Sequence, residues 1–496
     1  MRVNLIANVL GRVAALIAAV GFLPLYLKHL GAEAFGLVGF FTALVSVVAL
    51  TDIGLSATLS RELARLSAES CVVLMRDTVR TFELVYLGLM LTLALFLYFA
   101  APYIGSHWIQ ASQLSVESTI QSVRLMSVAA TLQLASSLYQ GGLIGLQRHV
   151  RLNVLQGTVA LARGAVTLGV LRLVSATAEA FFITQATVSF FSLIWIRREV
   201  WVALGVPSQR AQFRQTILAS AWRYGGGMVV MTLTGTMLMQ SDKFVLSRLL
   251  PIGLFGLYSL YWTVAQLPGS MISTPVQNTL FPRLTQLVAD RDYTGLSHLY
   301  HLGSQALALL VLPVSAVIAA FSNELLTLWL GPETPIYSSA YVLSLLVAGS
   351  ALSALTVVPY AMQLAHGRTR LPVLINSVAV LVFVPGLTLL VQRFGVNGAG
   401  FAWLTLNAGY ILLILLLMHR QILIGEGLRW FVHGVAIPSS VAFGSAYLFA
   451  AVTRLPKNPP LLVLYLFLCW LVTQILTSLV SPVGRRFIWS LVPNLR

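Results

Sequence analysis

The sequence predicts an all-α integral membrane protein with about fourteen transmembrane helices, arranged as two parallel six-helix lobes followed by two C-terminal helices. Three observations lead to this prediction: the composition, a series of long apolar stretches and an internal repeat. Of the 496 residues, 58% are hydrophobic and only 9% are charged, and the mean hydropathy is +0.86. Because a soluble domain carries roughly 25% charged residues, the composition indicates a chain that lies mostly in lipid.

Fourteen apolar stretches are each long enough to cross a bilayer, which requires about 20 residues. They lie near residues 5–27, 34–56, 80–101, 120–144, 152–174, 178–198, 223–246, 252–275, 303–322, 339–361, 371–392, 397–418, 431–452 and 459–481.

An internal repeat relates the two halves of the chain at an offset of about 220 residues. Short matches recur at this offset in several separate helices: Ala34-Phe35-Gly36-Leu37 with Leu254-Phe255-Gly256-Leu257, Arg148 with Arg368, Arg151-Leu152 with Arg370-Leu371, and Ala180-Phe181 with Gly400-Phe401. Six helices per unit start both units from the same side of the membrane, so the repeat is parallel. Two related bundles that rock around a shared cavity are typical of transporters.

The repeat divides the chain into four predicted regions. An N-terminal six-helix lobe spans 1–200, and residues 201–220 form an amphipathic linker on the cytoplasmic surface. A C-terminal six-helix lobe spans 221–420, and 421–496 hold two additional helices and a cytoplasmic tail.

The basic residues predict the orientation in the membrane. With the N-terminus inside, 20 of the 31 Lys and Arg fall on cytoplasmic connections and termini, against seven on the opposite side. This bias predicts that both termini are cytoplasmic. Most of the net charge of +16 therefore serves topology, and we expect no nucleic-acid partner.

Three arginines within apolar stretches are the first candidates for binding substrate: Arg12, Arg124 and Arg163. An arginine at a helix centre costs about 2.5–3.5 kcal/mol by insertion scales, so it should face a wet cavity or a partner. A cationic lining would hold an anionic substrate, and the planar guanidinium suits phosphate. An intramembrane pair with a carboxylate, or snorkelling to the interface, is the alternative.

Uncharged polar residues extend this candidate lining. Asn8 shares a small, polar face of the first helix with Arg12, and the second half contributes Gln277, Asn278 and Asn407. The amides suit sugar hydroxyls, but they are equally typical of contacts between helices.

Two pairs of charged residues are candidates for a gate, and a purely structural role is the alternative for each. Asp52 ends the second stretch and Arg61 follows it, while Asp242 and Lys243 end the seventh. Each pair fits either a gate or a local cap or salt bridge. No P-loop, HExxH or GxSxG motif occurs in the sequence, and we expect no enzyme, metal site or bound cofactor.

The order of several segments resembles the Wzx-type polysaccharide and O-antigen flippases of the multidrug/oligosaccharidyl-lipid/polysaccharide (MOP) exporter superfamily, which also includes the MATE transporters. The segments are 24–31 (PLYLKHLG), 35–37 (FGL), 52–55 (DIGL) with Arg61, 240–243 (QSDK) and 255–258 (FGLY). This resemblance extends over the whole chain.

The resemblance implies a multi-pass flippase of the bacterial inner membrane. Its substrate would be an undecaprenyl-diphosphate-linked oligosaccharide moved by alternating access, with polysaccharide polymerases or glycosyltransferases as partners. In relatives the first, second, seventh and eighth helices line the portal, which would put Arg12 and Asp52 near the substrate. The membrane potential, or coupling to H⁺ or Na⁺, would supply the energy.

Three alternatives remain. A cation-coupled multidrug exporter would require buried acids, whereas the deepest charges here are arginines. A flippase for the peptidoglycan lipid precursor uses the same lipid carrier, so the charges within the helices hardly distinguish it from a polysaccharide flippase. A membrane glycosyltransferase is disfavoured because the outer connections are too short to hold an active-site domain.

Overall fold

The structure is a computed structural model that describes residues 20–52, 54–205, 210–218, 239–331, 340–367, 370–453, 455–456 and 458–491. Within these ranges the chain is helical, which confirms the predicted all-α class, while the layout of two six-helix lobes stays a prediction. Ten of the described helices are long and apolar enough to cross a membrane, judged by length and composition. The total of fourteen stays a prediction. Parts of the first and seventh predicted stretches lie outside the described residues, and the helices that contain the fourth and eighth stretches (120–144 and 252–275) are not among these ten.

The chain divides into two compact units, residues 1–259 and 260–496. The six named helices of the first unit are α1 Leu23–Leu50, α2 Leu55–Ala68, α3 Val72–Tyr103, α4 Val116–Gly145, α5 His149–Leu173 and α6 Ala178–Ala203. Residues 239–249 are also helical, and α7 (Ile252–Ala289) begins in this unit.

The second unit contains the rest of α7 and ten further helices. They are α8 Tyr293–Ala320, α9 Ser322–Leu330, α10 Ala340–Leu355, α11 Val357–Ala365, α12 Arg370–Phe394, α13 Val396–Leu413, α14 Gly427–Trp430, α15 Ile437–Val452, α16 Pro459–Val480 and α17 Pro482–Leu491. Single π-helical turns extend α3, α13 and α14.

One backbone break divides α1 where the sequence predicts the first connection. Gly31 has φ 78° and ψ 171° inside α1, outside the helical region. A positive φ suits glycine because it has no Cβ to clash with the backbone. The chain from Leu23 to Leu50 is therefore two helical segments, and the predicted boundary between the first two stretches falls at this break.

Large apolar side chains point outward along the spans. Phe96 and Phe99 of α3 are 67% and 73% exposed, and Leu381 of α12 is 74% exposed. Contiguous apolar surface of this kind is rare on soluble monomers and suits contact with lipid. The interior of each unit is apolar as well, and α8 supplies fully buried side chains such as Leu307 and Leu312 to the core of the second unit.

Small residues bring the helices of the first unit into close contact. Gly141 and Gly145 are one turn apart on α4, and a Cβ at either position would collide with the carbonyl of Ser56 or Ser60 on α2. Glycine at such positions lets two backbones approach, which is how membrane helices gain packing energy without a hydrophobic driving force.

The tightest crossing joins two segments that the repeat relates. Gly36 of α1 and Gly256 of α7 lie against each other, and a methyl group on Gly256 would lie 2.7 Å from the Gly36 Cα. Beside them, Gly39 packs against Ser259. The Phe-Gly-Leu motif and its counterpart therefore meet face to face, which explains why glycine stands at the same place in both.

We expect Gly256→Ala to destabilise the full-length protein by about 1–3 kcal/mol, because an added methyl group overpacks a closed contact. The apparent Tm in detergent should fall by several degrees, as measured by fluorescence-detected size-exclusion chromatography after heating. Gly253→Ala on the same helix is the matched control, since its Cβ would meet only ordinary contacts from 3.4 Å outward. Equal Tm values for the two variants would contradict the close crossing.

Candidate functional site

A cavity of about 350 Å³ lies within the first unit between α1, α4, α5 and α6. Its lining mixes apolar side chains with one cation, two amides and two hydroxyls. The residues are Leu23, Tyr26, Val38, Phe41, Thr42, Val45, Gln133, Ala160, Arg163, Gly164, Phe181 and Gln185. A mainly apolar pocket with a few convergent polar groups is the usual form of a small-molecule site.

Arg163 is the cation of this cavity, and it is the fifteenth of the 25 residues of α5. Its Nη1 donates to Gln185 Oε1 at 3.5 Å, and its Nη2 donates to Ser189 Oγ at 3.3 Å. Both distances are long, and both partners are neutral. Among the described residues no carboxylate lies within 4.0 Å of this guanidinium, so it belongs to none of the ion pairs there.

The neighbours of Arg163 hold its side chain in place. Gln185 accepts from Arg163 and donates its own Nε2 to Thr167 Oγ1 at 3.1 Å. The Tyr26 hydroxyl donates to the Gly164 carbonyl at 3.4 Å. Supporting hydrogen bonds of this kind fix the orientation of a binding group before the ligand arrives.

Gln133 adds an unused donor to the cavity. Its Nε2 is inaccessible to solvent and has no hydrogen-bond partner among the described residues. A buried polar group without a partner costs about 1–3 kcal/mol, so it points to a ligand or an ordered water. Nothing in the sequence singles out Gln133, since a lone amide in a helix is common.

Arg124 lies elsewhere. It is nine residues before Gln133 on α4, which corresponds to about two and a half turns, so the two side chains leave opposite faces of the helix. The guanidinium carbon of Arg124 stands 4.7 Å from the centre of the Tyr98 ring on α3, a cation–π contact. The structure therefore does not bring Arg124 into the cavity of Arg163.

Asp52 caps a helix. Its Oδ1 accepts from the Ser56 backbone at 3.0 Å and also from the Tyr86 hydroxyl, and its Oδ2 accepts from Ser56 Oγ at 2.5 Å. These contacts fit the local-cap alternative, while Arg61 lies nine residues after Asp52, on α2. The gate role of this pair stays a prediction.

Asp242 and Lys243 are both buried in the helical segment 239–249. Lys243 Nζ lies 3.5 Å from Asp242 Oδ1, and Tyr258 donates its hydroxyl to Asp242 Oδ2 at 2.7 Å. The pair is thus tied to α7, a contact that fits a structural bridge as well as a gate.

The amide candidates of the second unit differ in burial. Gln277 is half-buried and Asn278 exposed on α7, while Asn407 is buried on α13 and donates to the Trp403 carbonyl of its own helix at 2.8 Å. Arg12 and Asn8 lie outside the described residues, so their place in the lining stays a prediction.

Two family comparisons match most of the chain between them. A family model described as polysaccharide biosynthesis protein matches residues 2–288, and one described as lipid II flippase MurJ matches residues 152–467. The chain belongs to the polysaccharide biosynthesis protein family. The match confirms the resemblance to polysaccharide flippases of the MOP superfamily.

The chain is similar to a protein from Shigella flexneri named "Putative O-antigen transporter". It is 22% identical over 409 residues, which cover 81% of this chain and 93% of the relative.

Two solved structures share the fold. A lipid II flippase MurJ in an inward closed conformation aligns with a TM-score of 0.71 at 13% identity, over 96% of this chain and 98% of its own. An inward-facing MATE family transporter of the MOP superfamily aligns with a TM-score of 0.66 at 15% identity, over 82% of this chain and 97% of its own. At such identities the likeness shows the fold alone.

A polar cluster at the start of α3 was missed from the sequence. Glu83, with a side chain 6% exposed, accepts from Tyr139, Arg197 and Trp201 at 2.7–3.0 Å and from Arg80 at 3.2 Å. The available signal was that acids are scarce: only 15 occur in the chain, and two of them, Asp77 and Glu83, nevertheless lie within α3.

Asp77, one and a half turns before Glu83, binds the predicted linker. Its Oδ1 accepts from the Gln212 backbone at 2.8 Å, and its Oδ2 accepts from Arg214 Nε at 2.6 Å. The Arg214 backbone also donates to Thr81 at 3.0 Å. Part of the linker is thus fastened to α3 of the first unit.

We expect Glu83→Gln to destabilise the protein by about 1.5–3 kcal/mol, because it removes the charged acceptor of several hydrogen bonds. Thermal unfolding of the detergent-solubilised variant measures the effect. Glu62→Gln is the control: Glu62 pairs on the surface with Arg65, whose side chain is 51% exposed, and such pairs contribute about 0–1 kcal/mol. A Glu83 variant no less stable than the Glu62 variant would contradict the structural role of this cluster.

Proposed function

We propose that this protein is a flippase for an undecaprenyl-diphosphate-linked oligosaccharide, the repeat unit of an O-antigen, capsule or exopolysaccharide. It moves the repeat unit from the cytoplasmic to the periplasmic leaflet of the bacterial inner membrane by alternating access. The observation that carries the proposal is the cavity of Arg163: a guanidinium in mid-helix, held by neutral groups among the described residues, in a pocket with unused polar capacity.

The physical task explains this kind of cavity. A glycan covered in hydroxyl groups would lose its hydrogen bonds with water on entering hydrocarbon, at a cost of about 2–7 kcal/mol for each uncompensated group. A polar cavity inside a helical bundle supplies replacement hydrogen bonds. The isoprenoid tail needs no such help and stays in the lipid.

The membrane potential favours the proposed direction. A diphosphate carries about two negative charges, and each is worth about 2.3 kcal/mol per 100 mV when it moves outward from an inside-negative compartment. Export is therefore assisted without nucleotide hydrolysis. Coupling to H⁺ or Na⁺ would add to this driving force.

The family comparisons favour polysaccharide over the alternatives within the superfamily. The MurJ model begins at residue 152, whereas the polysaccharide biosynthesis model spans residues 2–288. Seven lining positions on α1 and α4 therefore fall only under the polysaccharide model: Leu23, Tyr26, Val38, Phe41, Thr42, Val45 and Gln133. A precursor of peptidoglycan and a drug are the second and third candidate substrates.

We expect Arg163→Gln to abolish surface polysaccharide in a strain that lacks the chromosomal copy of the gene, because the cavity loses its cation. The protein should still reach the membrane in normal amount. Surface glycan measured by immunoblot of whole cells, alongside immunoblot of membrane fractions, tests this expectation. Arg172→Gln, on the same helix but hydrogen-bonded to His29 outside the cavity, should retain the wild-type glycan level.

The same strains separate a flippase from a glycosyltransferase. Loss of a flippase leaves complete lipid-linked repeat units in the inner membrane, whereas loss of a glycosyltransferase leaves them truncated or absent. Mass spectrometry of extracted lipid-linked glycans reads this out. Wild-type surface glycan in the Arg163→Gln strain, or truncated units in the deletion strain, would contradict the proposal.

A further inference from the structure

The cavity of Arg163 is too small for a whole oligosaccharide. Its volume of about 350 Å³ lies at the lower end of the range for small-molecule pockets, about 300–1,000 Å³. It therefore holds one group of the substrate at a time: either the diphosphate or a single sugar residue. The chemistry of the lining distinguishes these two.

The charges match one negative group. Arg163 is the single cation among the described lining residues. A guanidinium forms a planar, bidentate pair with a carboxylate, in which one positive charge balances one negative charge. A diphosphate with about two charges would leave one of them uncompensated in a low-dielectric site, which is strongly unfavourable.

The hydrogen-bonding groups match hydroxyls as well. Gln133 Nε2 is a buried donor without a partner among the described residues. Thr42, a lining residue, donates its own proton to the Gly39 carbonyl at 2.7 Å, so its hydroxyl oxygen is left as an acceptor. An ionised diphosphate only accepts hydrogen bonds, whereas a sugar hydroxyl both donates and accepts. A lining with donors and acceptors therefore fits a sugar better.

Aromatic side chains form the apolar part of the wall. Tyr26 and Phe181 pack edge to face with ring centres 5.3 Å apart, and Phe41 lines the same cavity. Aromatic rings offer flat, apolar surface against which the C–H face of a pyranose packs. A phosphate group gains nothing from such surface.

From these observations we infer that the cavity is a subsite for one acidic sugar residue of the translocated glycan, such as a uronic acid. The carboxylate pairs with Arg163, the ring lies against Tyr26, Phe41 and Phe181, and the hydroxyls bind Gln133 and Thr42. This inference rests on the proposed function and adds the substrate class of the site. The diphosphate then binds elsewhere in the protein.

Arg163 is ready for this role before the ligand binds. Of its five N–H groups, two are used by Gln185 and Ser189, which leaves three for a ligand. Because Gln185 is in turn held by Thr167, the guanidinium is oriented in advance. Gln185 is thus a positioning residue, and its loss should weaken binding without removing the charge.

Saturation-transfer difference NMR on the full-length protein in nanodiscs tests the inference, because this method detects weak ligands. The probes are methyl β-glucuronide, its neutral twin methyl β-glucoside, and inorganic pyrophosphate as competitor at matched ionic strength. We expect about tenfold tighter binding of the glucuronide than of the glucoside, from the added charge-assisted pair. Arg163→Gln should remove this preference, and Gln133→Leu should weaken both sugars.

Two controls keep the test decisive. Arg172→Gln should bind the glucuronide as the wild type does, and Arg163→Lys preserves the charge if Arg163→Gln proves unstable on heating. If the lysine variant still binds the glucuronide more tightly than the glucoside, but by a smaller factor than the wild type does, the result supports the inference. Equal binding of the two sugars by the wild type would overturn it, and so would displacement of the glucuronide by pyrophosphate at a tenfold lower concentration.

The outcome is separable from that of the proposed function. Loss of surface glycan in the Arg163→Gln strain together with equal binding of the two sugars would leave the flippase in place and remove the acidic-sugar subsite. Arg163-dependent glucuronide binding with normal surface glycan in that strain would establish the subsite and contradict the transport role of Arg163.

Discussion

A cation in the middle of a membrane helix must find polar partners, and this requirement shapes the first unit around Arg163. The insertion cost of an arginine at that depth is about 2.5–3.5 kcal/mol, a sizeable part of the stability of a protein. The fold meets it only partly, through long hydrogen bonds to Gln185 and Ser189. A stronger internal partner would stabilise the helix further but would also occupy the group that a substrate needs.

Four buried or half-buried acids of the first unit have partners other than Arg163. Glu83 is bound by Arg197 and Arg80, Asp77 by Arg214, Asp52 by Ser56 and Tyr86, and Asp242 by Lys243 and Tyr258. The ion pairs of the unit are therefore separate from Arg163, the cation that we propose for the substrate. Close contacts at glycine, above all between Gly36 and Gly256, hold the helices together without charges.

Hydropathy was enough to predict an all-helical membrane chain and to find Arg163, because both signals are local in sequence. The rotation of a helix is not local, and Arg124 shows the consequence: half a turn separates it from the face of α4 that lines the cavity. Asn407 likewise satisfies its amide on its own helix, a choice that spacing cannot reveal. Gln133 was missed because its importance lies in the partner it lacks.

The internal repeat likewise predicted the architecture but not the contacts between helices. Its matching motifs predicted two related bundles, and the described helices α5 and α12 both have 25 residues at corresponding places. The motifs did not predict that Gly36 and Gly256 would touch, because a contact between distant segments depends on packing and not on similarity. What differs between the halves matters most for function: Phe383 stands at the place in α12 that corresponds to Arg163, so this cation belongs to the first half alone.

The most direct measurement is lipid flipping by the purified protein in liposomes. A fluorescent oligosaccharide linked to undecaprenyl diphosphate is placed in both leaflets, and a membrane-impermeant reductant quenches only the outer one. We expect the wild-type protein to expose the inner-leaflet label to quenching. Arg163→Gln should do so at about one tenth of the wild-type rate or below, because it lacks one charge-assisted interaction. An inner-leaflet label that stays as protected as in protein-free liposomes, or equal rates for wild type and variant, would contradict the central claim.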